Sequence, residues 1–153
     1  MQNDAVALSG TSTELAEGFA GTVTAHTGTL AITNNDYTIT QLETIAGASS
    51  GTITFTTTDR ALSGNSTNLA AALANTSNYD GAVAITNADY TLDELVAINN
   101  GTGGAITFTT ATTALTGTSA KFAQALAGTI TYGGAVTIDN NDYTLDQLSL
   151  IHI

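Results

Sequence analysis

Residues 61–108 read ALSGNSTNLAAALANTSNYDGAVAITNADYTLDELVAINNGTGGAITF, and the hydrophobic period of this stretch switches twice from helical to alternating. Leu69 and Leu73 are four residues apart, and Leu95 and Ile98 three apart. Either spacing puts two large groups on one helical stripe. Val83 with Ile85, and Ile106 with Phe108, instead alternate with Ala or Thr, the pattern of half-buried strands. Ahead of the second helix, Thr91-x-x-Glu94 forms a capping box, in which each partner satisfies an orphan backbone N–H of the other. The stretch therefore encodes two successive helix-and-strand units.

Outward from it the pattern repeats at an offset of about 53 residues, which aligns Tyr37, Tyr90 and Tyr143, and Leu8, Leu62 and Leu115. The leading apolar residues Leu15, Leu42, Leu69, Leu95, Phe122 and Leu148 follow one another at 26 or 27 residues. Further capping boxes occur at Thr38-x-x-Gln41 and Thr144-x-x-Gln147. Each unit reads as a short extended piece (ALSG or DYTL), a helix of two to three turns, a Gly-containing loop and a longer strand. One unit alone leaves its apolar stripe uncovered, so successive units must stack and share a core. The expected fold is an α/β solenoid of six β-α-β units, three tandem repeats of two half-repeats each. It occupies 1–153 as a single domain, with repeats near 6–60, 61–113 and 114–153 and the last one truncated. Parallel strands sit about 4.8 Å apart and packed helices roughly 8–10 Å apart. The stack therefore either curves with its helices outside, or sets each helix over two strands.

Composition narrows the function classes. The chain has 153 residues, 31 of them Thr, with no Pro or Cys, and only 10% are charged. Two cations, Arg60 and Lys121, stand against 13 carboxylates for a net charge of -11, so no basic groove can neutralise phosphates. Nucleic acid and anionic membrane surfaces are excluded as partners. No apolar run is long enough to insert into a bilayer. The lack of cysteine fits an exported protein. Met1 to Val6 has neither a cationic stretch nor an apolar one, as expected of a mature form or of cargo exported without an N-terminal signal. The expected location is extracellular or on the cell surface.

The tandem ALSG, DYTL and GAITFTT segments resemble the Thr-, Ala- and Gly-rich repeats of very large secreted or cell-surface proteins of bacteria, cyanobacteria among them. The resemblance covers essentially the whole chain. It implies an extracellular structural or adhesive array and brings no catalytic residues with it.

Four groups of side chains are candidates for chemistry. The turns Asn34-Asn35-Asp36, Asn87-Ala88-Asp89 and Asp139-Asn140-Asn141-Asp142 are rich in oxygen and could offer Asp36, Asp89, Asp139 and Asp142 to Ca²⁺. They lack the central Gly and distal Glu of an EF-hand loop, and Asn and Asp also serve plain turns. No other cofactor is expected. Tyr37, Tyr90 and Tyr143 recur once per block and could form an aromatic ladder for glycans, or pack their rings and leave the hydroxyls wet. Thr52, Thr54 and Thr56, with Ala105, Thr107 and Thr109, could present a flat ice-binding array, although Thr is also simply a good strand residue. Asp36, Asp89 and Asp142 are one position copied three times, which speaks against a pair of differently tuned catalytic acids. His26 falls in register with Tyr79 and Tyr132, an interchangeable aromatic position rather than a general base.

Solenoids normally close their ends with polar caps, but here the chain enters directly at an ALSG segment and leaves after the sixth helix. Val6, Leu8, Leu148, Leu150, Ile151 and Ile153 are the expected contact residues at these ends. Two accounts compete: a piece of a longer array, or a subunit that stacks on copies of itself through a heterologous, non-closing contact. The expected function is a non-catalytic extracellular structural or adhesive repeat protein assembling head-to-tail. The alternative is a ligand-binding solenoid for calcium, glycan or ice.

Overall fold

The computed structural model describes residues 5–21, 25–127 and 130–150. The chain is a mixed α/β protein. Its first block runs β1 (Leu8–Gly10), α1 (Ser12–Phe19), β2 (Leu30–Ile32), α2 (Ile39–Gly47) and β3 (Ile53–Phe55). The second runs β4 (Leu62–Gly64), α3 (Ser66–Ala72), β5 (Val83–Ile85), α4 (Leu92–Gly101) and β6 (Ile106–Phe108). The third continues with β7 (Leu115–Gly117), α5 (Ser119–Ala125), β8 (Val136–Ile138) and α6 (Leu145–Leu150).

All pairings are parallel, in sheets ordered β1-β2-β3, β4-β5-β6 and β7-β8. The alternation sets the faces: Leu30, Ile32, Ile53, Phe55, Val83 and Ile85 are buried, while Ala31, Thr54 and Ala84 between them are partly exposed. Register keeps like with like across the ladder, Leu8 opposite Leu30 and Leu30 opposite Ile53. The first two sheets also reach into the next block, because Ile53 bridges to Thr76 and Ile106 to Ile130. Ile53 N–H donates to Asn75 C=O at 2.9 Å, and Ser77 N–H to Ile53 C=O at 3.1 Å.

Each helix packs on the next along the chain, from α1 on α2 to α5 on α6. The stripes read from the sequence face inward: Leu15, Leu42, Ile45, Leu69, Leu73, Leu95, Ile98, Phe122 and Leu126 are buried in one core. Fully burying such a side chain contributes roughly 1.5–3 kcal/mol. The capping boxes at Thr38/Gln41 and Thr91/Glu94 form, as does one at Thr11/Glu14. At α6, Thr144 N–H donates to Gln147 Oε1 and Gln147 N–H to Thr144 Oγ1.

Two expectations change. Among the described residues every strand is three residues long, and the DYTL segments form none. In each the Tyr turns away from an extended ladder and the Thr becomes the helix cap, so its backbone serves α2 and α4 instead. The chain also passes tightly from loop to strand: an added Cβ on Gly51 would collide with the carbonyl of Gly28, and one on Gly104 with that of Gly81. Glycine is there because neighbouring backbones touch.

Candidate functional site

Three polar braces, one in each block, tie its two helices together, and the acidic turns belong to them. Asn34 Oδ1 accepts the Ser12 backbone N–H at 2.7 Å, and its Nδ2 donates to Ser12 Oγ at 3.0 Å and to Asp36 Oδ1. Asn87 does the same with Ser66 (2.8 and 2.9 Å) and Asp89 (2.7 Å). Asn140 repeats it with Ser119 (2.8 and 3.1 Å) and Asp142. The three serines are buried, and each hydroxyl is used twice, accepting from the Asn and donating to the capping residue of the following helix. Those donations run to Gln41 at 3.0 Å, Glu94 at 2.9 Å and Gln147 at 2.9 Å. A helix start, a turn and the next helix start are thereby locked to one another.

The four candidate calcium carboxylates are all exposed. Asp36, Asp89 and Asp142 each accept from an Asn amide in their own brace, which gives these carboxylates a structural partner without any ion. The Asn34 amide holds the Asp36 carboxyl below the usual carboxylate range, helped by its own backbone N–H and, at longer range, Arg60 against a small burial effect. Among the described residues no three His, Cys, Asp or Glu side chains converge as a metal-ligand cluster. Asp139 instead lines a cleft of about 370 Å³ between the α4 and α5 starts. There Lys121 pairs with Asp93 at 2.5 Å, with both side chains largely solvated. Such a surface pair is worth about 0–1 kcal/mol.

The tyrosines divide. Tyr37 and Tyr90 are core groups and offer no surface ladder, because each ring is enclosed by its own block and the next strand region. Tyr37 packs on Phe55 at 5.0 Å and Tyr79 at 6.4 Å, and Tyr90 on Phe108 at 5.0 Å and Tyr132 at 6.4 Å. Their hydroxyls donate to the carbonyls of Thr57 and Thr110. Arg60 closes the first cluster, its guanidinium 5.7 Å from the Tyr37 ring centroid and Nη1 donating to Asn35 C=O at 2.8 Å. Tyr79 donates to Arg60 C=O at 2.5 Å. Burial, reinforced by Tyr37 and opposed by Arg60, raises the Tyr79 phenol far above its ordinary value. Tyr143 alone of the recurring column is exposed.

On the strands, Thr54 Oγ1 donates to Leu30 C=O at 3.2 Å and Thr107 Oγ1 to Val83 C=O at 3.4 Å, so these hydroxyls already serve the ladder. His26 is buried with its ring 5.8 Å from Phe19, while its backbone bridges to Ser49. Its carbonyl accepts from Ser50 N–H at 2.9 Å as that of Tyr79 accepts from Gly103 N–H at 2.8 Å, so the two hold equivalent places.

The end positions differ sharply from their internal counterparts. Leu8 is 39% exposed where Leu62 and Leu115 are 5%, and Val6 beside it is 48% exposed. Tyr143 is 51% exposed where Tyr37 and Tyr90 are 0% and 2%, and Leu145 is 85% exposed where Leu92 is 7%. Leu148 is half-buried; the Leu150 side chain, Ile151 and Ile153 lie outside the described residues. The internal counterparts are covered by the neighbouring block. At that junction the Ile39 side chain lies over Gly64, where an added Cβ would stand 2.7 Å from Cδ1, and Leu92 lies over Gly117 at 2.5 Å from Cδ2.

The braces are absent from the local pattern, although Asn34, Asn87 and Asn140 share the offset of the tyrosines and Ser12, Ser66 and Ser119 recur at 54 and 53 residues. That shared spacing was the available signal. No protein-family model, no curated protein and no solved structure matches this chain.

Proposed function

We propose that the chain is a non-catalytic extracellular repeat module, a solenoid of six units whose work is structural or adhesive and which associates head-to-tail with copies of itself. The observation that carries the reading is the contrast between end and interior: Leu8 and Tyr143 are exposed while the residues at equivalent positions inside are buried, and Leu145 is exposed where Leu92 is buried and Ile39 half-buried. A surface that is core elsewhere in the same molecule is a surface built to be covered by more of the same. The solenoid reading is supported by the unbroken helix-on-helix series and by the bridges from Ile53 and Ile106 into the following block. A secreted or cell-surface location agrees with the resemblance to tandem bacterial surface repeats and with the absence of cysteine. The charge of -11 opposes side-by-side clumping.

Negative-stain electron microscopy over a concentration series, with Ca²⁺ or with a chelator, tests this reading. Uniform fibres that lengthen with concentration are the expected result. Fibres that need Ca²⁺ would add Asp139 and Asp142 to the interface, and fibres indifferent to it would leave the turns as braces. Small monodisperse particles at every concentration would overturn the proposal.

A further inference from the structure

Resting on the head-to-tail reading, the geometry points to a specific register for the contact: we propose that Leu145 of one copy seats in the hollow over Gly10 of the next. Gly64 and Gly117 are the two internal glycines that end the ALSG and ALTG strands, and Gly10 ends the first. Over each internal one lies the residue that follows the capping Thr of the preceding block, Ile39 over Gly64 and Leu92 over Gly117. Both pairs are 25 residues apart. Among the described residues the third member of each series has no such mate. Leu145, which follows the capping Thr144, is almost fully exposed, and above Gly10 the nearest atoms belong to its own helix: an added Cβ would meet Glu14 Oε2 at 3.3 Å and Leu15 Cγ at 3.6 Å. The knob and the hollow sit at opposite ends and repeat a junction that the molecule already makes twice.

The flanking groups fit the same register. Beside the knob, Tyr143 stands where Tyr37 and Tyr90 are roofed by the next block, and beside the hollow, Leu8 stands where Leu62 and Leu115 are roofed by the preceding one. The occupant is thus a second copy of this chain, and the contact is heterologous: one copy gives its α6 end and receives at its β1 end, so each added copy leaves a fresh end.

Two single substitutions separate the ends. Leu145→Ser removes the knob at an exposed position, and Gly10→Thr fills the hollow with a residue that suits a strand. Sedimentation velocity over a concentration series reads association, and circular dichroism melting reads the fold of each chain alone. The expected result is that the native chain associates, that each variant keeps its melting temperature within a few degrees, and that each associates on the order of tenfold more weakly or worse. Mixed in equal amounts, the two variants retain one intact junction, Leu145 of the Gly10→Thr chain on Gly10 of the Leu145→Ser chain. The mixture should give discrete dimers and nothing longer.

If the native chain associates but the Leu145→Ser variant associates equally well, or the mixture forms no dimers, the register is wrong while head-to-tail association stands. If the native chain stays monomeric throughout, the head-to-tail reading falls and this contact with it.

Discussion

Glu94 stands where the other two braces carry Gln41 and Gln147, and the exchange changes what the site does with protons. Its carboxylate accepts from Thr67 Oγ1 at 2.7 Å, Thr91 N–H at 2.8 Å, Ser66 Oγ at 2.9 Å and Thr91 Oγ1 at 3.1 Å. Partial burial works to raise its pKa, but the donors from Thr67, Thr91 and Ser66 outweigh it, and the net shift is downward. A carboxyl lowered on folding stabilises the fold above its unfolded pKa, near 4.3, and that contribution is lost as pH falls through the lower, folded value. Glu94→Gln should keep the cap, since glutamine already fills this position twice, and should flatten the acid side of the stability curve. Melting temperatures from about pH 3 to 7 check this: the native chain should lose stability more steeply than the variant at the acid end, and parallel curves would refute it. At Gln41 the amide Nε2 donates to Thr13 Oγ1 at 2.9 Å, whereas the Thr67 hydroxyl donates to Glu94, so one threonine position serves either residue by rotating its proton.

Elements in this molecule are too short to stand alone: the helices span six to ten residues and the strands three. Isolated helices of such length are marginal, so their ends must be held by something outside them. The Asn of each brace does this, and its loss should be felt as a failed helix start. Asn87→Ala leaves the Ser66 N–H without its acceptor inside the fold, at a cost of about 1–3 kcal/mol. That corresponds to a fall in melting temperature on the order of 3–10 °C. Asn140→Ala should lower it less, because α6 and β8 are the less buried elements, with Tyr143 and Leu145 exposed and Val136 and Ile138 only half-buried. Equal losses for the two would contradict this account of the braces. Most elements were legible in the sequence because their signals are local: i,i+3 and i,i+4 pairs, alternation, and cap residues three apart. The braces were harder, since Ser12 meets Asn34 across 22 residues and Gln41 across 29. The DYTL segment misled for a related reason. Its aromatic residue, Tyr90, serves a ring cluster with Phe108 and Tyr132 rather than a strand face.

For the whole molecule, burial falls off toward both ends, and stability should follow it. The central stretch from β2 to α4 holds most of the fully enclosed side chains, among them Leu30, Ile32, Tyr37, Leu42, Ile53, Leu69, Tyr79, Ile85 and Leu95. Native-state amide exchange should be slowest there and fastest in β8 and α6, since local opening is easiest where few apolar groups must be exposed. Protection of α6 equal to that of α4 in dilute solution would refute the gradient. At concentrations where copies associate, the α6 and β1 ends should gain protection.

The side-chain braces span 21 to 29 residues, the longest reach being Ser12 to Gln41. Under tension, a chain wired this way has no distant clamp to break first. Pulled from its two termini, it should peel from an end, one half-repeat at a time, each release paying out roughly 90 Å of extended chain. When the load drops, each released segment finds its partners among its immediate neighbours and closes again without a long search. Repeated stretch and release of a single chain should therefore give the same series of small steps in each cycle.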